Sequence, residues 1–523
     1  MLKLRPNQEE PVRKAIEYFR KENPAPAIMV CPTGWGKSIL AAEVAAACPD
    51  PILVVQPSKE LLEQNLRKYR LLCGDLAPAG IYSASFRKKQ IDHVTFATIG
   101  SIQKIGSQFR ELGFKKMLID EAHLYPRKEQ SMLGQFLRDS GIRQVLGITA
   151  TPLKLEQMKE KQEKRFDSWS VLTMLTSLSP DGTFFKEILH VSQVQEMVNL
   201  GFWSPLKYEV LPFNRSALKM NTIGSEFTAD SEVDSYVLNN IRENIFAALD
   251  YHTDRKHCLV FVPSVEEAQA LAEIYPESAY LSGETPKAER TKIIEDYTSG
   301  RIRVLFNCAI LITGFDYPKI DLIILASSTA SVSRYFQEVG RGVRIDPDKK
   351  DCVIIDMAGN YERFGRAEDA MYKLGHDGRW RLYGTEGRLL SGVPVTILGQ
   401  MTRLDVCRAY TRPWDDPKLN YGKYKGKRIS EIPMGYRIWL LKNSKDATEK
   451  DYVFRAIENH VRDTRNDPPM KTLPDGTHSG KPMEQIPNGY LRWYYKSKTW
   501  NETNDSLRRG IEKALNRWKA GEI

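Results

Sequence analysis

The chain has only seven cysteines in 523 residues, at positions 31, 48, 73, 258, 308, 352 and 407, and no two form a C-x-x-C pair. This spacing argues against a zinc ribbon or a disulfide framework and suits a reducing compartment. No run of about 18 apolar residues occurs, so no membrane partner is expected. Met1 to Pro6 lack the apolar stretch of a secretory leader, and a cytoplasmic location is expected. No constellation of acids and histidines reads as a nuclease centre.

What is present is apolar content of 41%, enough for large cores, in a length that predicts three to four domains. The net charge is +10, which favours a polyanionic partner. That charge is uneven. Residues 411–523 hold 23 Lys/Arg against 15 Asp/Glu, a net of +8, and five of the nine tryptophans.

The apolar run Ala27-Ile28-Met29-Val30 leads into Cys31-Pro32-Thr33-Gly34-Trp35-Gly36-Lys37-Ser38, and a helical pattern follows. Strand, glycine turn, Lys-Ser and helix make a phosphate cradle. Backbone N–H groups and the helix N-terminus face the anion, Lys37 reaches the outer phosphates, and Ser38 can hold Mg²⁺. Thr33, Gly34 and Gly36 shape the turn. Trp35 is unusual there and could pack or touch the nucleotide. Short apolar strands recur at Ile52–Val55, Val94–Ala97, Met117–Ile119 and Val145–Ile148, which predicts an α/β domain with a parallel sheet over 1–155. The strand at Met117 runs into Asp120-Glu121-Ala122-His123. Asp120 can hold Mg²⁺, partly through water, and Glu121 can orient and deprotonate an attacking water.

Residues 200–365 repeat the alternation. Strands are expected at Cys258–Val262, ending at Pro263-Ser264, and at Val304–Asn307. Gln337-Glu338-Val339-Gly340-Arg341-Gly342-Val343-Arg344 places two arginines three apart, expected on one helix face and able to reach a γ-phosphate across a cleft.

Asp-Glu-Ala-His at 120–123, Thr149-Ala150-Thr151-Pro152, and the 337–344 stretch resemble motifs II, III and VI of the superfamily 2 DEAH-box-type helicases. Over residues 4–360 the chain looks like the RadD-type and UvsW-like DNA helicases of bacteria and phages, through Leu281–Pro286, Thr313-Gly314-Phe315-Asp316 and Ile355–Asn360. The resemblance implies two tandem RecA-like P-loop domains, ATP and Mg²⁺, and 3′→5′ movement on single-stranded, forked or branched DNA in repair, recombination or replication. It implies Gln8 as an adenine reader, Gly314 and Asp316 as nucleotide contacts, Gln337 and Arg341 beside the nucleotide, and Arg344 as arginine finger. It also implies nucleic-acid contacts from Pro57, Ser58, Lys59, Thr98, Ser101, Ser264 and Thr313. Alternatives are an RNA helicase, or an ATP-switched sensor or motor subunit that does not unwind. A monomer or weak oligomer is expected.

RadD-type proteins carry a cysteine-rich C-terminal region; this chain does not. Instead, Gly426-Lys427, Ile432-Pro433, Gly435-Tyr436, Trp439 and Lys442 recur 54 residues later as Gly480-Lys481, Ile486-Pro487, Gly489-Tyr490, Trp493 and Lys496. This is an internal duplication, expected as small α+β repeats at 411–465 and 466–523. It resembles a Gly-Lys-rich module of some bacterial exonucleases and phage proteins. Lys423, Lys425, Lys427 and Arg428 are candidate phosphate contacts. Trp439 and Trp493 are expected in the cores, because domains near 50 residues need large aromatics to fill them. Residues 156–199 read as a linker or insertion, and 366–410 as a connector.

Overall fold

The computed structural model describes residues 3–74, 77–125, 131–162, 165–174, 184–222, 224–308, 317–376, 378–393, 395–398, 418–419, 422–443, 473, 478, 481–497 and 505–519. The stretch Thr313-Gly314-Phe315-Asp316, with three of the expected contacts, lies outside them. The chain divides into two compact units: Met1–Ile245 with Asp254–Thr411, and Phe246–Thr253 with Arg412–Ile523.

The first unit contains both α/β halves. The strands of its first sheet are β1 (Ala27–Val30), β2 (Ile52–Gln56), β3 (Gly80–Ser83), β4 (Lys88–Lys89), β5 (Val94–Thr98), β6 (Lys116–Asp120) and β7 (Gln144–Thr149). Next come β8 (Leu153–Gln162), β9 (Arg165–Met174) and β10 (Glu187–Val191). The sheet order is β10-β1-β7-β6-β2-β5-β3-β4, parallel throughout except for β3 with β4. β1, β2 and β6 are buried along their whole length, which is why they read as continuous apolar runs rather than alternating ones.

The described parts of the stretch read as a linker or insertion include strands. β8 and β9 form a ten-residue antiparallel hairpin, and β10 extends the first sheet beside β1. The charged composition of Lys154 to Lys164 hid the hairpin. Charged residues interrupt the pattern along β8, although β9 carries Phe166, Trp169, Val171, Leu172 and Met174.

The second half contains β11 (Leu206–Val210), β12 (Cys258–Phe261), β13 (Ser278–Leu281), β14 (Val304–Asn307), β15 (Leu322–Leu325) and β16 (Cys352–Asp356). Their order is β11-β16-β15-β12-β14-β13, all parallel. Two parallel sheets in tandem are the RecA-like α/β architecture expected of residues 1–365. The connector then pairs β17 (Met371–Leu374) with β18 (Trp380–Tyr383). Tyr372 in β17 exchanges two hydrogen bonds with the Gln193 side chain, at 2.7 and 3.0 Å.

In the second unit each copy of the duplication has its own small core. Leu419, Ile429, Ile432 and Leu440 form the first; Leu473, Met483, Ile486 and Tyr494 stand at the same positions in the second. The helix Asp505–Lys519 adds Leu507, Ile511 and Ala514 to the second core. Trp439 and Trp493 are not in either core: they are 52% and 60% exposed. On the helices Met434–Asn443 and Asn488–Ser497 the inward position falls one residue later, at Leu440 and Tyr494. No helix of the described residues is long and apolar enough to cross a membrane.

Candidate functional site

The loop after β1 turns through two glycines at positive φ, 76° at Gly34 and 102° at Gly36. Gly36 is constrained twice, since a Cβ there would lie 2.6 Å from the Gln8 amide nitrogen. Helix α1 (Pro6–Arg20) carries Gln8 into this contact. Its side chain donates to the Trp35 carbonyl at 2.5 Å and accepts from the Arg5 N–H at 2.8 Å. Gln8 is buried, with both ends of its amide committed to the chain itself. Gln8 thus braces the loop, and Arg5 and Phe202 line the cavity. Arg5 donates to the Gly34 carbonyl at 3.1 Å and lies 4.4 Å from the Phe202 ring centroid. Trp35 is fully buried and packs. Trp203 donates its indole N–H to the Thr33 carbonyl at 2.9 Å.

The cavity holds about 310 Å³ and is lined by both halves. Thr33, Gly34, Gly36, Lys37, Ser38, Asp120 and Glu121 come from the first; Gln337, Arg341 and Arg344 come from the second. Lys37 opens helix α2 (Lys37–Ala47) and places its Nζ 2.9 Å from Glu121 Oε1. Burial opposes charge on both groups, but the pair overrides it. Glu121 is held below the ordinary carboxylate range, with help from His123 and Arg341, and Lys37 is raised by Glu121 and Asp120. Asp120 goes the other way, pushed up to about 6 by burial and by the Glu121 charge. Its oxygens accept from Asn65 at 3.0 Å and from the Glu121 N–H at 2.9 Å. Glu121 itself adopts φ 48°, a left-handed conformation that costs a non-glycine residue about 1 kcal/mol or more.

His123 is buried where three motifs meet. Its Nδ1 is 2.7 Å from Thr149 Oγ1 and 3.5 Å from Glu121 Oε2, and its Nε2 is 3.2 Å from the Gln337 amide nitrogen. With Gln337 donating, Nε2 accepts and the ring proton sits on Nδ1. Burial lowers the His123 pKa, against the pull of Glu121.

Arg341 and Arg344 reach the cavity by a route other than the expected helix face. The helix Val332–Val339 ends before them. Gly340 closes against the loop, where a Cβ would lie 2.8 Å from Thr33 Cγ2 and 2.7 Å from the Phe336 carbonyl. The arginines follow in a turn. Lys349, which the sequence did not single out, fixes that turn by donating to the carbonyls of Gly342 at 2.6 Å, Arg344 at 2.9 Å and Pro318 at 3.4 Å.

The expected nucleic-acid residues sit at strand ends. Ser58 caps helix α3 (Lys59–Cys73) next to Pro57, accepting from the Leu61 N–H at 3.3 Å. Ser264 caps the helix Val265–Ile274 by accepting from the Glu267 N–H at 3.1 Å. Thr98 and Ser101 share a 2.9 Å hydroxyl contact. Lys59 lies 4.7 Å from the Phe86 ring centroid and is held below its ordinary pKa by Lys287 of the second half. Lys423, Lys425, Lys427 and Arg428 are exposed on the turn of the first repeat.

Residues 1–154 match the family described as Type III restriction enzyme, res subunit, and residues 239–346 match the helicase conserved C-terminal domain. The chain is similar to a Schizosaccharomyces pombe protein named for a mitochondrial ATP-dependent helicase, irc3, with 26% identity over 380 residues, 69% of this chain and 58% of that protein. It is 23% identical over 365 residues to a 51.5 kDa protein of a Lactococcus phage, covering 68% and 70% of the two chains. It is 24% identical over 377 residues to a Haloarcula marismortui protein named for a DNA 3′–5′ helicase, Rad25, covering 70% and 54%. The chain therefore spans little more than half of the yeast and archaeal relatives. Among solved structures, the DNA-bound Type ISP restriction-modification enzyme LlaBIII shares the fold at TM-score 0.51 and 14% identity, over all of this chain and 40% of that one. Two domain matches in chain order on the two α/β halves, with helicase relatives spanning both, place this pair of halves among the superfamily 2 helicases.

Proposed function

We propose that the chain is an ATP-driven motor that moves on DNA. One observation carries the reading: a single cavity collects Lys37, Asp120 and Glu121 from one half and Gln337, Arg341 and Arg344 from the other. In this proposal Lys37 holds the outer phosphates, Glu121 takes the proton of the attacking water, and Arg344 stabilises charge on the departing phosphoryl group, with Arg341 beside it. The donor set fits Mg²⁺: two adjacent carboxylates, one of them pushed up by burial and by its neighbour's charge, and the Ser38 hydroxyl. Asp120 and Ser38 would hold the ion, partly through water, and bound there it would neutralise phosphate charge.

Because the ligand would contact both halves, cleavage removes charge that holds them together, and the grip on the strand alternates. Lys59 and Lys287, like charges facing each other from the two halves, suit a shared phosphate. A DNA substrate is supported by the name of the archaeal relative and by the Thr-Ala-Thr-Pro form of motif III. Forked or branched DNA is the preferred structure we assign.

Hydrolysis of ATP measured with forked DNA, duplex DNA and RNA tests the reading. Forked DNA is expected to stimulate most, and Arg344→Ala to lower the stimulated rate on the order of 10³-fold. Full stimulated activity in Arg344→Ala would show the cleft assignment to be wrong.

A further inference from the structure

The second unit carries a duplicated file of aromatic rings. In the first copy Tyr424 meets Tyr436 edge-on at 4.8 Å, and Tyr436 stacks on Trp439 at 5.4 Å with the planes 21° apart. In the second, His478 meets Tyr490 edge-on at 4.6 Å, and Tyr490 lies against Trp493 at 5.4 Å and 47°. Every ring stands 54 residues from its counterpart, the offset of the duplication. Both files end at an exposed indole. Duplication has preserved not only a core but also an aromatic surface that the core does not use.

Charge narrows what that surface fits. Arg492 and Lys496 are exposed on the helix that carries Trp493. In the first copy Lys423 lies 5.6 Å from the Tyr424 ring centroid, with Lys425 and Lys427 exposed beside it. A flat π face flanked by cations matches a flat base on a phosphate backbone. An apolar protein partner would call for a contiguous apolar patch, and a duplex hides its base faces.

We propose that Trp439 and Trp493 are stacking platforms for unpaired bases of single-stranded DNA, one in each repeat, with the neighbouring lysines and arginines on the phosphates. The choice of DNA rests on the motor reading above.

The test is equilibrium binding by the full chain, without nucleotide, to a labelled oligodeoxythymidylate, the same strand with abasic sites, and oligouridylate. The unsubstituted protein should prefer the base-bearing strand to the abasic one. Trp439→Ala and Trp493→Ala should each weaken base-bearing binding about tenfold, Trp→Phe should retain most of it, and the double Ala variant should bind both DNA strands alike. Circular dichroism and melting confirm that the cores of Leu440 and Tyr494 persist. A base preference that survives in the double variant overturns the proposal, and so does an equal loss on the abasic strand. A loss confined to oligouridylate overturns the assignment to DNA. The motor reading fails separately, if no nucleic acid stimulates ATP hydrolysis by the unsubstituted chain, and binding still decides the platforms.

Discussion

Glu338 follows Gln337 directly and is fully buried. Its Oε1 accepts from Arg334 Nε at 2.9 Å, and its Oε2 has no hydrogen-bond partner. Arg334 also donates to Ser327 Oγ at 2.8 Å, and Ser327 donates to Glu232 at 2.7 Å. Glu226 stands nearby, accepting from Thr329 and Ala330 at 2.6 Å, and Asp356 adds its charge from β16. One arginine thus serves several acids. Burial pushes both Glu232 and Glu338 up to about 7, against the pull of Arg334. A carboxyl raised in the folded state contributes stability that is full below its unfolded value near 4.5 and is lost as pH rises through about 7. Glu338→Gln keeps an oxygen for Arg334 and removes the surplus charge. It should raise stability by about 1–2 kcal/mol at pH 8, with the gain vanishing near pH 5. Thermal melts at the two values check the sign. At this scale the sequence was legible where chemistry is local. Gly36, Lys37 and Ser38 fall on one glycine turn at the start of α2 because adjacent residues build it. The loop-bracing contact of Gln8 gave no signal, because its partner, the Trp35 carbonyl, is 27 residues away. Phe202 gave no signal at all, since only folding brings it to Arg5.

Elements were legible as runs and less so at their ends. The buried strands β2, β5, β6, β7, β12 and β14 stood out as apolar stretches, whereas the β8–β9 hairpin, charged along β8, did not. The arginine turn shows why ends matter. The helix stops at Val339, and Gly340 lets the chain pass close to the loop, where a Cβ would lie 2.8 Å from Thr33 Cγ2. A turn has no repeating hydrogen bonds to hold two long side chains in place. Lys349 supplies that order with three charge-assisted donations. Its burial lowers its pKa, and Lys349→Met should fit the space while losing the donors. The variant is expected to lower kcat for stimulated ATP hydrolysis about tenfold, or ~1.4 kcal/mol in the barrier, with KM changed less than twofold. A KM that rises in step with a falling kcat/KM at constant kcat would place Lys349 in binding instead of in orienting Arg344.

For the whole molecule, the duplication was legible because an exact offset needs no structure to be seen. Its cores were assigned to the wrong residues because aromatic size was weighed without helix phase. The tryptophans one step from Leu440 and Tyr494 belong to a different face. The distribution of charge gives the most direct test of the second unit. Residues 411–523 carry +8 of the net +10, and Lys423, Lys425 and Lys427 are exposed. Each lysine that neutralises a phosphate of a single strand releases counterions and contributes about 0.7 to the slope of log affinity against log salt. Replacing all three with alanine should flatten that slope by about 2, whatever the base sequence. Trp439→Ala should leave the slope near its parent value, because stacking releases few ions. Titrations at several salt concentrations separate the two contributions. If the triple variant kept the parent slope, phosphate contact by these three lysines would be excluded, and the salt dependence would have to come from other cations, with Arg428, Arg492 and Lys496 of the repeats and Lys59 and Lys287 of the α/β halves the next to replace.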